Sequence, residues 1–152
     1  MIHALLVDDE PMALANVNYI LKSFSSFTVV STCTVPEDAL KFCENHEVDV
    51  VFMDIEMPRI KGMELMTKMR EVRPDLIVVF VTAYRNYAIR AFETNAQDYL
   101  LKPITKERMA ITAEKVEQQL QLLRSAARHS PDTGNVYDSI VGKNNRCTYL
   151  LK

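Results

Sequence analysis

Asp8-Asp9, Asp54, Thr82 and Lys102 each stand directly after an apolar run: Ile2–Val7, Val48–Met53, Leu76–Val81 and Tyr99–Leu101. If those runs are neighbouring parallel strands, their carboxyl ends gather three carboxylates, a hydroxyl and an ammonium at one sheet edge. Ligand sites of open α/β sheets form at that edge. Three carboxylates at close range repel one another and call for a cation, so the set suits a hard divalent metal together with a phosphoryl group. Asp54 at a strand end has two possible jobs, metal ligand or nucleophile toward phosphorus, and a carboxylate nucleophile would form an acyl phosphate. Phosphoryl transfer asks a protein for positioning and charge neutralisation more than for covalent chemistry. Asp8 and Asp9 would hold Mg²⁺, which takes oxygen ligands octahedrally, and the main-chain carbonyl of Glu56 would add another ligand. Lys102 would face the phosphoryl oxygens and the Thr82 hydroxyl would donate a hydrogen bond to them. Taken singly each has a plainer reading: an N-cap for Asp8-Asp9, a turn residue for Asp54, a strand-end hydroxyl for Thr82, a solvated charge for Lys102. Only their order and shared position at strand ends carries the argument.

The elements that must position these residues follow from the apolar pattern. Ile2–Val7, Val48–Met53 and Leu76–Val81 are apolar runs, broken only by His3 and Asp49, as expected of strands buried on both faces; Phe27–Cys33 is β-rich and Tyr99–Leu101 forms a short last strand. Pro11 suits a first helical turn, and Leu14, Val17, Leu21 and Phe24 share a helical face that ends near Ser23–Ser26. A second helix opens at Thr34 and Pro36. A third carries Leu65, Met66 and Met69 and stops near Arg73-Pro74, with Pro58 and Gly62 forming the turn before it. A short fourth helix is expected over Tyr87–Thr94, and a last one from about Thr105 to about Arg128. Five βα units imply a parallel sheet with helices on both faces. In the last helix Met109, Ala113, Val116, Leu120 and Leu123 form a heptad-like stripe. Its first half should pack on the sheet; its distal half would leave the domain, either to pair with a second copy or to lead onward. Ser130–Tyr137 is linker-like, and Ser139–Val141 and Arg146–Leu151 read as a hairpin around Gly142–Asn145, the start of a further domain.

Composition narrows the function classes. With 152 residues, 48% hydrophobic, the chain can build one full domain and a fragment of another. A net charge of −2 predicts no strong field for nucleic acid from this chain. Cys33, Cys43 and Cys147 lack metal-ligand spacing and read as reduced thiols of a cytoplasmic protein. His3, His46 and His129 are scattered, and His3 reads as a packed or surface imidazole. No run approaches membrane-span length and no secretory h-region opens the chain.

VDDEP (Val7–Pro11), MDIEMPRIKGMEL (Met53–Leu65), VTAY (Val81–Tyr84) and DYLLKP (Asp98–Pro103) together resemble the receiver domain of bacterial two-component response regulators. The resemblance spans about Met1 to Gln121. It implies a flavodoxin-like, doubly wound (βα)5 fold with strand order 2-1-3-4-5, and a cis bond between Lys102 and Pro103. It also implies that Asp54 accepts phosphate from a phosphohistidine on a sensor histidine kinase, that Asp8 and Asp9 bind Mg²⁺, and that Thr82 and Tyr99 are the switch pair. AIRAFETNAQDYLLKPI (Ala88–Ile104) is similar to receivers joined to LytTR-type DNA-binding output domains, with Asn95 where Gly is commoner in other receivers. The implied organisation is a receiver over 1–124, helix end and linker over 125–137, and a truncated β-rich output domain from 138; contact with DNA would come only through the missing part. Tyr84, Tyr87 and Phe92 would line a partner surface, and a homodimer would form through the fourth helix, last strand and last helix.

Two other chemistries can be weighed against this. A haloacid dehalogenase-type phosphatase would also use a strand-end Asp with Thr and Lys, but it normally places a second Asp two residues on, where this chain has Glu56, and no cap insertion is present. A flavin or nucleotide binder would offer Gly, Ser or Thr amides after the first strand; here that loop is acidic, and the chain holds three glycines. A degenerate receiver acting only as an interaction module lacks motive, because every phosphorylation residue is present. The expectation is therefore a phosphorylation-controlled switch with slow self-dephosphorylation, not a turnover enzyme.

Overall fold

The computed structural model describes residues 1–84 and 95–133, with side chains through residue 126. The element order is β1 (Ile2–Val7), α1 (Pro11–Leu21), β2 (Phe27–Cys33), α2 (Pro36–Asn45), β3 (Val50–Met53), α3 (Gly62–Val72), β4 (Ile77–Thr82), β5 (Asp98–Leu101) and a last helix, α4 (Lys106–Thr133). The helix expected over Tyr87–Thr94 and the hairpin over 139–151 lie outside the described residues. All strand pairs are parallel and the order is β2-β1-β3-β4-β5, the doubly wound arrangement of the expectation. The chain divides into two compact units, Met1–Glu117 and Gln118–Lys152. The first holds the whole sheet; the described part of the second is helical backbone.

Every residue of β3 and β4 is buried, which is why those segments read as unbroken apolar runs. Alternation sorts them between faces. Leu5, Val7, Val51, Met53, Val78, Phe80 and Tyr99 pack in one cluster with Ala39 and Cys43 of α2 and Leu65, Met66 and Met69 of α3. The intervening strand residues Ala4, Leu6, Val50, Phe52, Val79 and Leu100 are equally buried, as a sheet covered on both faces requires. Cys33 and Cys43 are free, buried thiols; burial pushes Cys43 up to about 12, so it stays protonated and packs as a small apolar group.

Several boundaries differ from those expected. β3 begins at Val50 instead of Val48, because Asp49 turns its carboxylate onto the His3 main-chain N–H (2.8 Å) and ring Nδ1 (3.1 Å) as regular pairing begins. Thr82 is the last residue of β4, in register with Leu101, and not the first residue after it. α4 runs to Thr133, so the linker-like residues 130–133 lie on helical backbone. Gly62 does not serve as a turn glycine. It opens α3, and a Cβ there would sit 2.3 Å from the Asp54 carbonyl oxygen and 2.8 Å from Ile55 Cα. The left-handed conformation before α3 falls instead on Arg59 (φ 76°). Asn95 has φ 64°, the conformation asparagine tolerates best after glycine.

Candidate phosphoacceptor site

The parallel register brings the carboxyl ends of β1, β3, β4 and β5 together. Val7 pairs with Met53, so Asp8 and Asp54 leave adjacent strands side by side, with the Asp54 N–H bonded to the Val7 carbonyl at 3.1 Å. Lys102 N–H donates to the Thr82 carbonyl at 2.8 Å, which sets the two residues on neighbouring strand ends. The structure thus unites five of the expected residues, Asp8, Asp9, Asp54, Thr82 and Lys102, on one edge. One oxygen each from Asp8, Asp9 and Asp54 lie within 4.8 Å of one another.

Lys102 Nζ is the cation among them. It lies 2.8 Å from Asp8 Oδ2 and 3.1 Å from Asp54 Oδ2, with Glu10 Oε1 at 3.3 Å. Asp8 and Asp54 are 4% and 6% exposed, so their charges are held largely out of water, where like charges repel strongly. Burial raises the Asp8 carboxyl above the usual carboxylate range, against the bonds from Lys102 and the Glu10 N–H and in line with the nearby Asp54 charge. Burial works against the Lys102 ammonium, but the surrounding Asp8 and Asp54 carboxylates outweigh it and hold the group protonated. Two main-chain amides aim the carboxylates: Glu10 N–H donates to Asp8 Oδ1 (3.0 Å) and Glu56 N–H to Asp54 Oδ1 (3.2 Å). Glu56 itself pairs through its side chain with Lys61 Nζ at 2.5 Å.

These donors fit a magnesium-type cation. All three are hard carboxylate oxygens, with no imidazole or thiolate to draw a softer metal, and one ammonium is too little charge for three carboxylates. A second acid-rich group, His3, Glu47 and Asp49, has Asp49 Oδ2 already occupied by the His3 N–H and ring. That oxygen is committed to holding β1 against β3.

Thr82 is fully buried, and its Oγ1 accepts from the Tyr84 N–H at 3.3 Å. Tyr99 is 9% exposed, with its ring inside the cluster that contains Met53 and Phe80. A groove of about 370 Å³ opens beside the pocket, lined by Glu10, Met12, Asn16, Val81, Lys102 and Ile104 among others. Tyr84 is half exposed; Tyr87 and Phe92 lie outside the described residues.

Three participants escaped sequence reasoning. Glu10 reads as a helix-start acid, yet its carboxylate reaches Lys102. Gly62 reads as a turn, yet it permits α3 to start against the Asp54 peptide. Asp98 was taken only as part of a motif, yet it is 2% exposed and gripped by Arg108 and Thr112. The i, i+4 spacing of Arg108 and Thr112 was the available signal.

Comparison with known proteins agrees with this geometry. Residues 4–132 match the family model for the response regulator receiver domain. An uncharacterized response regulatory protein of Vibrio cholerae is 41% identical over 119 residues, 78% of this chain and 46% of its own length. The transcriptional regulatory protein BtsR of Escherichia coli K12 is 41% identical over 120 residues, 78% of this chain and 49% of its own. The chain thus spans about half the length of these curated relatives. Among solved structures, the response regulatory domain of MrkE from Klebsiella pneumoniae superposes with a TM-score of 0.72 at 29% identity, covering 79% of this chain and 99% of that one. A receiver domain from Clostridium thermocellum does so with a TM-score of 0.72 at 28% identity, covering 81% and 99%. Among the described residues, no helix is long and apolar enough to cross a membrane. Fold, carboxylate edge and family match converge: this chain belongs to the response regulator receiver domain family.

Proposed function

We propose that the chain accepts a phosphoryl group on Asp54 from a phosphohistidine of a sensor histidine kinase, in a Mg²⁺-dependent step, and switches conformation as a result. The observation that carries this is the grouping of Asp8, Asp9 and Asp54 around a single ammonium, with Asp54 aimed by the Glu56 amide. Asp8, Asp9, Asp54 and the Glu56 carbonyl would hold the metal, which when bound supplies the positive charge that offsets the phosphoryl oxygens. In the step itself, an Asp54 carboxylate oxygen attacks phosphorus, the P–N bond to the donor imidazole breaks, and the imidazole nitrogen keeps the electron pair. Lys102 exchanges part of its contact with Asp54 for the incoming phosphoryl oxygens, and hydrolysis of the acyl phosphate later restores the carboxylate.

Thr82 and Tyr99 form the proposed switch. When the Thr82 hydroxyl turns to donate to the phosphoryl group, its bond from the Tyr84 N–H is given up, so the chemistry at Asp54 is felt in the main chain that leaves β4. The inward ring of Tyr99 belongs to the other half of that response. The two arrangements differ in what they offer the phosphoryl charge, which is how a ligand shifts a population.

The remainder of the reading concerns the longer protein. We take 1–124 as receiver, 125–137 as helix end and linker and 138–152 as the start of a LytTR-type output domain, through which alone DNA would be bound. Its support is the sequence AIRAFETNAQDYLLKPI (Ala88–Ile104), the coverage of half of each relative, and the description of one relative as a transcriptional regulatory protein. Homodimerisation through the segment over 87–94, β5 and α4, and a cytoplasmic location, complete it. Incubation with Mg²⁺ and a small acyl phosphate, followed by peptide mapping in a mass spectrometer, should place one phosphoryl group on Asp54. Modification elsewhere, or modification that persists in Asp54→Asn, would overturn the assignment.

A further inference from the structure

Asp98 sits at the start of β5, four residues before Lys102, and makes none of the contacts of the acidic pocket. It is nonetheless among the best-satisfied side chains in the molecule. Arg108 grips it bidentately, Nη1 to Oδ2 at 3.0 Å and Nη2 to Oδ1 at 2.9 Å. Thr112 Oγ1 donates to Oδ2 at 2.7 Å and accepts from Arg108 Nη1 at 3.1 Å. Lys115 Nζ lies 3.6 Å from the same Oδ2. The carboxyl is held below the usual range: burial works against its charge, and the bonds from Arg108, Thr112 and the Tyr99 amide more than compensate.

What the network holds gives it meaning. The Tyr99 N–H donates to Asp98 Oδ1 at 2.8 Å and the Tyr99 carbonyl accepts from Arg108 Nη2 at 3.5 Å, so both main-chain groups of Tyr99 are fastened to the same ion pair. Arg108 lies ten residues beyond Asp98, and Lys102 stands on the segment between them. That segment is tied at its start by Lys102 N–H to the Thr82 carbonyl, and at its end by Thr105, whose Oγ1 accepts from the Arg108 N–H at 3.1 Å. The ion pair therefore closes a short loop that carries Lys102, with Tyr99 at its start. A planar, bidentate Arg–carboxylate pair fixes direction as well as distance, whereas a lysine on an unclosed loop could follow any of three carboxylates.

We infer that Asp98, Arg108 and Thr112 are positioning residues for phosphoryl transfer, fixing β5 to α4 so that the Lys102 ammonium and the Tyr99 main chain stay registered on the Asp54 pocket. This rests on the function proposed above. It separates the pocket into two halves with different supports: Asp8, Asp9 and Asp54, set by β1 and β3, and Lys102, set by the clamp.

The test uses the 152-residue chain and its Arg108→Lys, Thr112→Val and Asp98→Asn variants, at a temperature where circular dichroism shows each one folded. Two quantities are read: the rate of Asp54 phosphorylation by a small acyl phosphate at saturating Mg²⁺, and the Mg²⁺ dissociation constant by calorimetry. Arg108→Lys keeps the charge but loses the fork. It should slow phosphorylation about 10-fold, since misplacing a catalytic group by a fraction of an ångström costs on that order. Mg²⁺ affinity should stay within about twofold, because the clamp touches none of the carboxylates that would bind the metal. Thr112→Val should follow in the same sense with a smaller loss. If Asp98→Asn does not fold, the other two decide. Unchanged rates in the folded variants would overturn the inference, and so would parallel losses of rate and Mg²⁺ affinity, which would mark a general distortion. Failure of the unsubstituted chain to take phosphate on Asp54 would instead sink the functional reading.

Discussion

Asp54 and Asp98 are both buried carboxylates at strand ends, and both meet a long cationic side chain, yet their surroundings are opposite in kind. Asp98 alone faces a bidentate guanidinium, a hydroxyl, its neighbour's amide and the nearby Lys115 ammonium. Asp54 shares a single ammonium with Asp8 and Glu10, and Asp9 stands close by. In the first region every charge has its partners, and the carboxyl is pulled below the ordinary range. In the second, burial pushes Asp8 above it, and among the described residues three carboxylates gather around one ammonium. A saturated buried ion pair is a fastener; an unsaturated one is a site waiting for a cation. The sequence motif DYLLKP joins the two within five residues, with the fastener at its Asp and, at its Lys, the ammonium that meets Asp8 and Asp54.

The comparison can be broken most sharply at the fastener. Replacing Asp98 by Ala strands Arg108 and Thr112 without their shared acceptor; because the Arg108 side chain is 38% exposed and water can reach it, the loss should be about 3 kcal/mol, the low end for breaking a buried pair. The loss should appear in urea unfolding with and without Mg²⁺ alike. Its pH dependence has a definite sign. Asp98 has a folded pKa below its ordinary 3.8, so its contribution is fully present above that value and is lost as pH falls through the depressed one.

The next effect belongs to the unsaturated pocket. Mg²⁺ at about 100 times its dissociation constant should stabilise the chain by about 2.7 kcal/mol, the mass-action value for a ligand that binds only the folded state. The double variant Asp8→Asn/Asp9→Asn should show no such rise in melting temperature. A shift that survives in it would place the cation elsewhere.

Gly62→Ala should come third, at about 2 kcal/mol, because the new methyl meets the Asp54 carbonyl and not a yielding side chain. Denaturant midpoints would measure it, and a neutral result would mean α3 can retreat without cost. The smallest effect, opposite in direction, is Asp8→Asn without metal. A raised folded pKa means that ionising Asp8 destabilises the native state, increasingly as pH climbs above 3.8. Asn should therefore raise the melting temperature at neutral pH and leave it unchanged at the acid end.

Much of this was legible in the chain. The central strands announced themselves because parallel strands covered on both faces are mostly apolar, and prolines 11 and 36 marked two helix starts within a residue. The carboxylate edge was legible because each of its members sits at or just past the end of a strand, so topology alone brings them together. What stayed hidden depends on approach distances and partners. Gly62 looks like any turn glycine until the Asp54 peptide is seen against it. Asp98 and Arg108 look like surface charges until folding removes one from water. The start of β3 was misplaced for a related reason: Val48 and Asp49 have the right pattern, but the Asp49 side chain competes for the His3 amide.

The central claim, that the pocket of Asp8, Asp9 and Asp54 is short of positive charge and is completed by a divalent cation, is tested most directly by titrating the metal-free chain with Mg²⁺ in a calorimeter. One binding event is predicted, lost in Asp8→Asn/Asp9→Asn and retained in Arg108→Lys. Absence of binding in the unsubstituted chain, or an unchanged isotherm in the double variant, would contradict it.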